Sequence, residues 1–185
     1  MKKKKININI KLDLKLKLFL FLFAIVFLIL IGLIISSTKE QQFKISNYQN
    51  NQISFNYDQN FTITEEKEYI ELKSQDNQAI VVIKILDYTN TYKKENQSDI
   101  ASSLSYQVIK DESDYIETYN DYEIKNDYTR YYYLYENYEK ENQIEVITTF
   151  TNHYIYTLIY SANNNEFDLY EESISLIVNS IEIEV

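Results

Sequence analysis

The sequence predicts an α+β protein, an antiparallel β-sheet with helices packed on it, preceded by one N-terminal transmembrane helix. Three observations predict this class. Residues 18–35 form an apolar run without a charged side chain. Beyond that run, short segments alternate apolar and polar residues with the period of two that is typical of half-buried strands. Two further segments place apolar residues along one stripe of a helix.

The apolar run predicts a membrane anchor at residues 18–36. As a helix, its eighteen uncharged residues would span about 27 Å, close to the roughly 30 Å hydrocarbon core of a bilayer. Seven lysines precede it and only Asp13 opposes them, so residues 1–17 are expected in the cytoplasm and the C-terminal domain outside the cell. A cleaved signal peptide is the alternative, although its apolar region is usually shorter, about 7–15 residues. Both alternatives export the domain.

The composition of the 185 residues limits the possible chemistry. The chain has no Cys, which excludes disulfides, thiolate metal sites and thiol nucleophiles. From residue 36 onward, 11 basic residues stand against 27 acidic ones, a net charge of −16. Such a surface repels phosphate backbones, so nucleic acid is excluded as a partner, while cations, basic proteins and neutral glycans remain. The abundance of Asn, Ile, Lys and Tyr is typical of AT-rich coding in a prokaryote.

The first strands are predicted after a polar stalk at residues 37–51, which places the folded domain at residues 52–185. Apolar residues then alternate with polar ones, at Ile53, Phe55, Tyr57, Phe61, Ile63, Ile70 and Leu72. Residues 80–86 are instead an almost continuous, mostly β-branched apolar run. Such a run predicts a central strand that is covered on both faces of the sheet.

Two helices are predicted to supply that cover. Ser98 is a favourable N-cap for the first, and Asp99 lies in its first turn. The second is predicted after residues 163–165, with Glu166 and Asp168 near its positive end. The buried faces are expected at Ile100, Ala101, Leu104 and Val108 in the first helix, and at Phe167, Tyr170, Ile174, Ile177 and Val178 in the second. Glu171, Glu172, Ser173 and Ser175 are expected to face solvent.

Three or four strands are predicted between the helices, around residues 115–124, 128–136, 143–150 and 154–161. Short polar turns join them, and strands with such short connections must be antiparallel, because a parallel return needs a crossover of about a dozen residues or more. A last alternation at Ile181, Ile183 and Val185 predicts an edge strand. The strands between the helices are therefore expected to form a meander.

This order of elements resembles the PsbP-like proteins over about residues 52–185. The resemblance rests on the opening strand at residues 53–57 and on the stretch Tyr-Thr-Leu-Ile-Tyr-Ser-Ala at residues 156–162, which leads through Phe167 to a final helix ending in Ser180. Two positions depart from the pattern, because Asp58 stands where the family usually has proline and Phe61 where it often has tryptophan. The resemblance implies a PsbP-like α/β sandwich in a largely noncatalytic family, which includes photosystem-associated subunits and exported prokaryotic proteins.

The tyrosines provide the candidate binding surface. All 19 follow the anchor, and on a strand Tyr131, Tyr133 and Tyr135 share one face while Tyr132 points to the other. Exposed rings would bind glycans by stacking or form a patch for a protein partner. Cross-strand packing inside the sheet is the alternative for the same rings.

Other candidate residues are weaker signals. His153 is the only histidine, and we place it in the turn between two strands. Two acidic groups could offer oxygens to Ca²⁺ but lack the ligand spacing of an EF-hand loop, so a solvated surface is favoured. These groups are Asp111, Glu112 and Asp114, and Glu65, Glu66 and Glu68. Asn60 and Asn96 begin N-glycosylation sequons, which matter only in a host with that machinery.

No cluster in the sequence forms a catalytic or metal-binding motif, and no cofactor is predicted. We therefore expect a noncatalytic, membrane-tethered extracellular binding or accessory module that contacts an envelope protein or a cell-wall glycan. Two alternatives remain open. One is an exported hydrolase that uses paired carboxylates on envelope glycans. The other is a Ca²⁺- or ligand-sensing ectodomain, although 17 residues leave no room for a cytoplasmic output domain.

Overall fold

The computed structural model describes residues 44–87, 96–110, 114–151 and 154–183. Within these ranges the chain forms ten β-strands, two α-helices and one 3-10 helix. The strands are β1 Ile45–Gln49, β2 Ile53–Asp58, β3 Phe61–Glu65, β4 Ile70–Ser74, β5 Ala79–Asp87, β6 Ile116–Ile124, β7 Tyr128–Asn137, β8 Asn142–Thr151, β9 Tyr154–Asn163 and β10 Glu182–Ile183. The helices are α1 Gln97–Ile109, the 3-10 helix Phe167–Tyr170, and α2 Glu171–Ser180.

The strands form two sheets in which every pairing is antiparallel. The larger sheet has seven strands in the order β3-β4-β5-β9-β8-β7-β6, and the smaller has the order β1-β2-β10. The predicted meander is confirmed, since β6, β7, β8 and β9 pair in sequence. Strand β5 joins it by pairing with β9 along its length, from Ala79 opposite Ala162 to Asp87 opposite Tyr154.

One face of the large sheet is covered by α2 together with β2. Ile174 and Ile177 of α2 and Phe55 of β2 are buried with Leu158 and other residues of the sheet in one apolar cluster. Ser180, at the end of α2, accepts a hydrogen bond from the backbone N–H of Asn56 at 2.8 Å. Full burial of each large apolar side chain contributes about 1.5–3 kcal/mol, so this layer fixes α2 on the sheet.

The opposite face is covered by α1. Ile100 and Ala101 of α1 are buried with Val146 and Phe150 of β8 and with Tyr133 of β7 in a second apolar cluster. The prediction of helix cover on both faces of the sheet is therefore confirmed, and the architecture is α+β with the sheets as its largest part.

Strand β1 lies within residues 37–51, and its Tyr48 ring packs on Phe55 with 5.0 Å between ring centroids. Three other local expectations are corrected. In β5 only the face of Val81 and Ile83 is buried, whereas Ile80 is 38% exposed. Asn96, and not Ser98, is the N-cap of α1, since its side chain accepts a hydrogen bond from the N–H of Ser98. Ser173 of α2, which was expected to face solvent, is buried.

Several predictions fall outside the described residues. These include the tail at residues 1–17, the anchor at residues 18–36, and the residues Asp111, Glu112 and His153. Among the residues that the structure describes, neither helix has the length and apolar character needed to cross a bilayer.

Candidate functional site

The face of the large sheet beneath α2 carries a cleft whose floor is set by strand register. Residues opposite one another on neighbouring strands point to the same face, so the pairings define rows of side chains across the sheet. One row runs through Tyr119, Leu134, Glu145 and Tyr160 on β6, β7, β8 and β9. The adjacent row contains Tyr132 and Ile147, and the next contains Arg130 and Thr149.

The cleft has a volume of about 380 Å³ and lies between this floor and the last helical segment. The 3-10 helix contributes Phe167 and Asp168, and α2 contributes Glu171, Ile174 and Asn179. Its lining is therefore aromatic and apolar, with three carboxylates, those of Glu145, Asp168 and Glu171.

Arg130 closes one end of the cleft and is 3% exposed. Its guanidinium donates hydrogen bonds to Thr149 Oγ1 at 3.1 Å, Glu123 Oε1 at 3.0 Å, Asn179 Oδ1 at 3.2 Å and the Val178 carbonyl at 3.1 Å. The guanidinium carbon also lies 4.4 Å from the centre of the Tyr128 ring. This buried cation is thus fully used in joining β6, β7, β8 and α2.

Glu123 is the counter-ion of Arg130 and stays ionised. Burial opposes its charge, but hydrogen bonds from Tyr132 and Tyr128 and the charges of Arg130 and Lys125 outweigh burial and lower its pKa. Tyr132 donates to Glu123 Oε1 at 3.0 Å. The network leaves Arg130 little free charge to offer a ligand.

Glu145 lies at the centre of the cleft floor and, unlike Glu123, has no cationic partner among the described residues. It stands between Leu134 and Tyr160 in its row, on a strand whose neighbouring residues Ile144 and Val146 are buried. Burial, and then the charge of Glu171, raise the pKa of Glu145 to about 7. No hydrogen bond from any described residue reaches its carboxylate.

The cleft can therefore hold a positively charged group. An ionised carboxylate in a partly apolar surrounding is stabilised by a cation, and aromatic rings attract cations through their faces. Tyr119, Tyr132, Tyr160 and Phe167 line the same space. A weaker arrangement for the same residues is acid-base chemistry, since burial raises the pKa of Glu145 to a value at which it can carry a proton near neutral pH.

The structure places Tyr131, Tyr133 and Tyr135, the predicted binding surface, on the face of the sheet that packs against α1. Tyr133 and Tyr135 are 7% and 3% exposed, and Tyr131 is half-buried. The Tyr135 hydroxyl lies 2.8 Å from Ser105 Oγ of α1, and the Tyr131 ring contacts Phe150 edge-on at 5.8 Å. Helix α1 covers this face, so in this structure the three tyrosines pack and present no open row of rings.

The other predicted site residues lie around turns or at the start of α1. Glu65, Glu66 and Glu68 are exposed around the β3–β4 turn, and Glu65 accepts a hydrogen bond from the Tyr48 hydroxyl at 2.7 Å. Among the described residues no three His, Cys, Asp or Glu side chains lie close enough to hold a metal. Asn60 donates to Asp58 Oδ2 at 3.3 Å in the β2–β3 turn, and Asn96 caps α1.

Sequence reasoning missed Arg130 and Glu145. The available signal was a charged residue inside a strand of otherwise apolar or aromatic residues, since Glu145 interrupts the run from Ile144 to Ile147. Such a charge on a covered strand needs either a partner or a cavity. Arg130 has the partner, and Glu145 has the cavity.

No protein-family model matches the chain, and no curated protein matches it in sequence. Solved structures match it in fold. The solution structure of cyanobacterial PsbP (CyanoP) from Synechocystis sp. PCC 6803 superposes with a TM-score of 0.60 at 10% identity, covering 78% of this chain and 95% of that one. The crystal structure of the Saccharomyces cerevisiae Ran-binding protein Mog1p gives 0.55 at 7% identity, covering 77% and 96%. The fold is therefore PsbP-like, as the sequence resemblance predicted.

Proposed function

We propose that this domain is a noncatalytic binding module, held on the outer face of a membrane by residues 18–36, whose cleft receives a positively charged group of an envelope protein. The observation that carries the proposal is Glu145, a carboxylate on the cleft floor that no described residue satisfies with a hydrogen bond. A lysine side chain is the natural occupant, because its alkyl stem packs on rings while its ammonium meets the carboxylate.

The overall charge supports a basic partner. The region after residue 36 carries a net charge of −16, which attracts basic proteins and accelerates their encounter. The fold is compatible with protein binding, since one neighbour in structure is described as a Ran-binding protein. A neutral wall glycan, the other expected partner, would bind by stacking and would not respond to the charge of Glu145.

Titration of a small cation tests the cleft. The probe is pentylammonium chloride, which mimics a lysine side chain, added to the full chain in a neutral detergent and followed by calorimetry at pH 6 and pH 8. Because protonation of Glu145 near pH 7 competes with the cation, binding is expected to be about tenfold tighter at pH 8. Glu145→Gln should abolish this pH dependence and weaken binding.

The matched control is Glu172→Gln, which removes the same charge from an exposed position on α2. It should bind the probe as the unmodified chain does. Equal binding by the Glu145→Gln and unmodified chains at pH 8 would contradict the proposed role of the cleft.

Cysteine labelling tests the tether and its orientation. Because the chain has no cysteine, single cysteines at Asn126, which is exposed between β6 and β7, and at Lys3 can be compared without background. In intact bacterial cells a membrane-impermeant maleimide should label the cysteine at 126 and not the one at 3. Recovery of the chain in the soluble fraction, or the reverse labelling, would refute the tethered arrangement.

A carboxylate-dependent hydrolase is the second candidate. It is favoured by the position of Glu145, which shares the cleft with Asp168 and Glu171 and whose pKa burial raises to about 7. A protonated acid beside an ionised carboxylate is the arrangement that glycosidases use. Turnover of envelope glycans that Glu145→Gln and Glu171→Gln each abolish would establish this function in place of binding.

A further inference from the structure

We infer that the free edge of β6 is a docking site for an extended basic segment of a partner protein, which adds to the seven-stranded sheet as a further strand. Strand β6 is the last in the sheet order and pairs only with β7 among the described strands. Eight of its nine residues are exposed. Partners that add a strand to such an edge gain main-chain hydrogen bonds and place alternate side chains on the two faces of the sheet.

The side chains of β6 combine exposed apolar residues with carboxylates. Ile116, Tyr119, Tyr122 and Ile124 are exposed by 57%, 53%, 61% and 69%. Proteins usually blunt such an edge with lysine, proline or a covering segment. Strand β6 contains neither lysine nor proline, and its protection is acidic, with Glu117, Asp121 and Glu123.

These carboxylates select the charge of the occupant. Glu123 is paired with Arg130 at 3.0 Å and Lys125 at 3.6 Å. Within the described part of the chain, no basic side chain lies within ion-pair distance of Glu117 or Asp121. A second copy would bring three further carboxylates against the same edge, so self-pairing is opposed and a basic segment is favoured.

Asp121 also restricts access to the edge. Its carboxylate accepts hydrogen bonds from the backbone N–H of Tyr122 at 2.8 Å and from the Tyr119 hydroxyl at 2.9 Å. A lysine or arginine that pairs with Asp121 competes for these oxygens. The backbone N–H of Tyr122 is then free to donate to a carbonyl of the new strand. Neutral and acidic segments cannot displace Asp121 in this way, so the edge selects against them.

The strand register specifies the spacing of the basic residues. A bulge between Glu117 and Tyr119 places Glu117 opposite Tyr135 and Asp121 opposite Tyr132. These two positions on β7 are three residues apart, so the carboxylates lie on opposite faces of the sheet. A partner strand that pairs with the free edge of β6 can contact both carboxylates if its basic residues lie about three positions apart among β-forming residues.

This surface is distinct from the cleft centred on Glu145. Tyr119 belongs to both, but Glu145 lies on β8, two strands away from β6. Glu145→Gln should therefore leave docking at the edge unchanged, and failure of one proposal is separable from failure of the other.

A synthetic peptide tests the edge. The probe is a threonine- and valine-rich peptide with two lysines three positions apart, and its matched control carries glutamates in their place. Each is titrated into the full chain in neutral detergent, with amide hydrogen exchange read along β6. The lysine peptide is expected to bind and to slow exchange of β6 amides, while the glutamate peptide does neither. Reversal of both charges, Glu117→Lys with Asp121→Lys, should weaken lysine-peptide binding by about tenfold or more.

The control for net charge is Glu66→Lys with Glu68→Lys, two exposed positions far along the chain from β6. This pair should change binding by less than about twofold. If the reversed variant fails to fold, Glu117→Gln with Asp121→Asn serves instead and should lose most of the binding. Binding without slower exchange in β6, equal losses in the β6 variant and the control, or no binding at all would overturn the inference.

Discussion

Arg130 shows how one buried cation can organise a face of the sheet. Its guanidinium reaches Thr149 on β8, Glu123 on β6 and the carbonyl of Val178 on α2, while its own backbone belongs to β7. A buried ion pair contributes little over an apolar substitute when both partners are replaced, yet removing one partner leaves the other charge unsatisfied. Arg130 is therefore a positioning residue for α2 and for the end of the cleft.

Substitution of Arg130 by methionine is expected to destabilise the protein. Methionine retains much of the side-chain volume but leaves Glu123 without its buried counter-ion and the Val178 carbonyl without the guanidinium donor, at a cost of about 3 kcal/mol. The control is Lys125→Met, which removes the exposed partner of the same Glu123 and should cost under about 0.5 kcal/mol. Urea unfolding monitored by circular dichroism measures both. An equal loss of unfolding free energy in the two variants would contradict the role of Arg130 in positioning α2.

Glu145 makes stability depend on pH in the opposite direction to a paired carboxylate. Its pKa in the folded protein is raised to about 7, above the value of 4.5 that is usual for glutamate, so the folded state holds this proton more tightly. The stabilisation of the folded state by this proton is fully present below the pKa of Glu145 in the unfolded chain. It is lost as the pH rises through the folded-state pKa of about 7. Glu145→Gln should therefore gain stability over the unmodified chain, by about 2 kcal/mol more at pH 8 than at pH 5. Urea unfolding at both pH values checks this, and an equal gain at pH 5 and pH 8 would contradict it.

The tyrosine run illustrates what residue patterns can and cannot predict. Alternation correctly separated Tyr131, Tyr133 and Tyr135 from Tyr132, because side chains on a strand alternate by geometry. Alternation could not show which of the two faces packs against α1, since both faces carry aromatic rings. In the structure α1 covers the first face and the cleft lies on the second.

At the scale of elements, most strands and both helices follow from local patterns, whereas their caps and cover depend on neighbours. The four meander strands were predicted within about two residues, because period-two alternation and short turns are local signals. The continuous apolar run in β5 was misjudged. Val81 and Ile83 face α2 and β2, but Ile80 and Lys84 are exposed, which depends on how far α1 extends over the sheet.

The N-cap of α1 provides a test at this scale. Asn96 accepts the N–H of Ser98 at 3.2 Å, so Asn96→Ala should cost about 1 kcal/mol of stability. Ser98 lies inside the helix and contributes only its N–H to this cap, so Ser98→Ala should cost less than about 0.5 kcal/mol. Thermal unfolding of the two variants compares them. The reverse order would restore Ser98 as the cap.

At the scale of the whole molecule, sequence predicted an antiparallel sheet but not its division into two. Strands β2 and β3 are consecutive in sequence but belong to different sheets, because β2 pairs with β1 and β10. Strand β5 pairs with β9, about 75 residues further along the chain. Long-range pairings of this kind are chosen by the packing of both faces at once, for which a single sequence offers no local signal. The cleft depends on these pairings, because its rows exist only when β6 to β9 lie side by side in one register.

The position of β1 bears on where the folded domain begins. A chain that starts at Gln52, as the polar stalk predicted, loses five paired residues of β1, the Tyr48–Phe55 ring contact and the hydrogen bond from Tyr48 to Glu65. It also exposes the apolar edge of β2, which carries the buried Ile53 and Phe55. A chain that starts at Phe43 retains all of these contacts. We expect the shorter chain to unfold at lower urea, with a loss of about 2–4 kcal/mol, and Tyr48→Ala in the longer chain to account for about half of it. Equal stability of the two chains would mean that β1 packs on the domain without stabilising it, and would support the predicted boundary at residue 52.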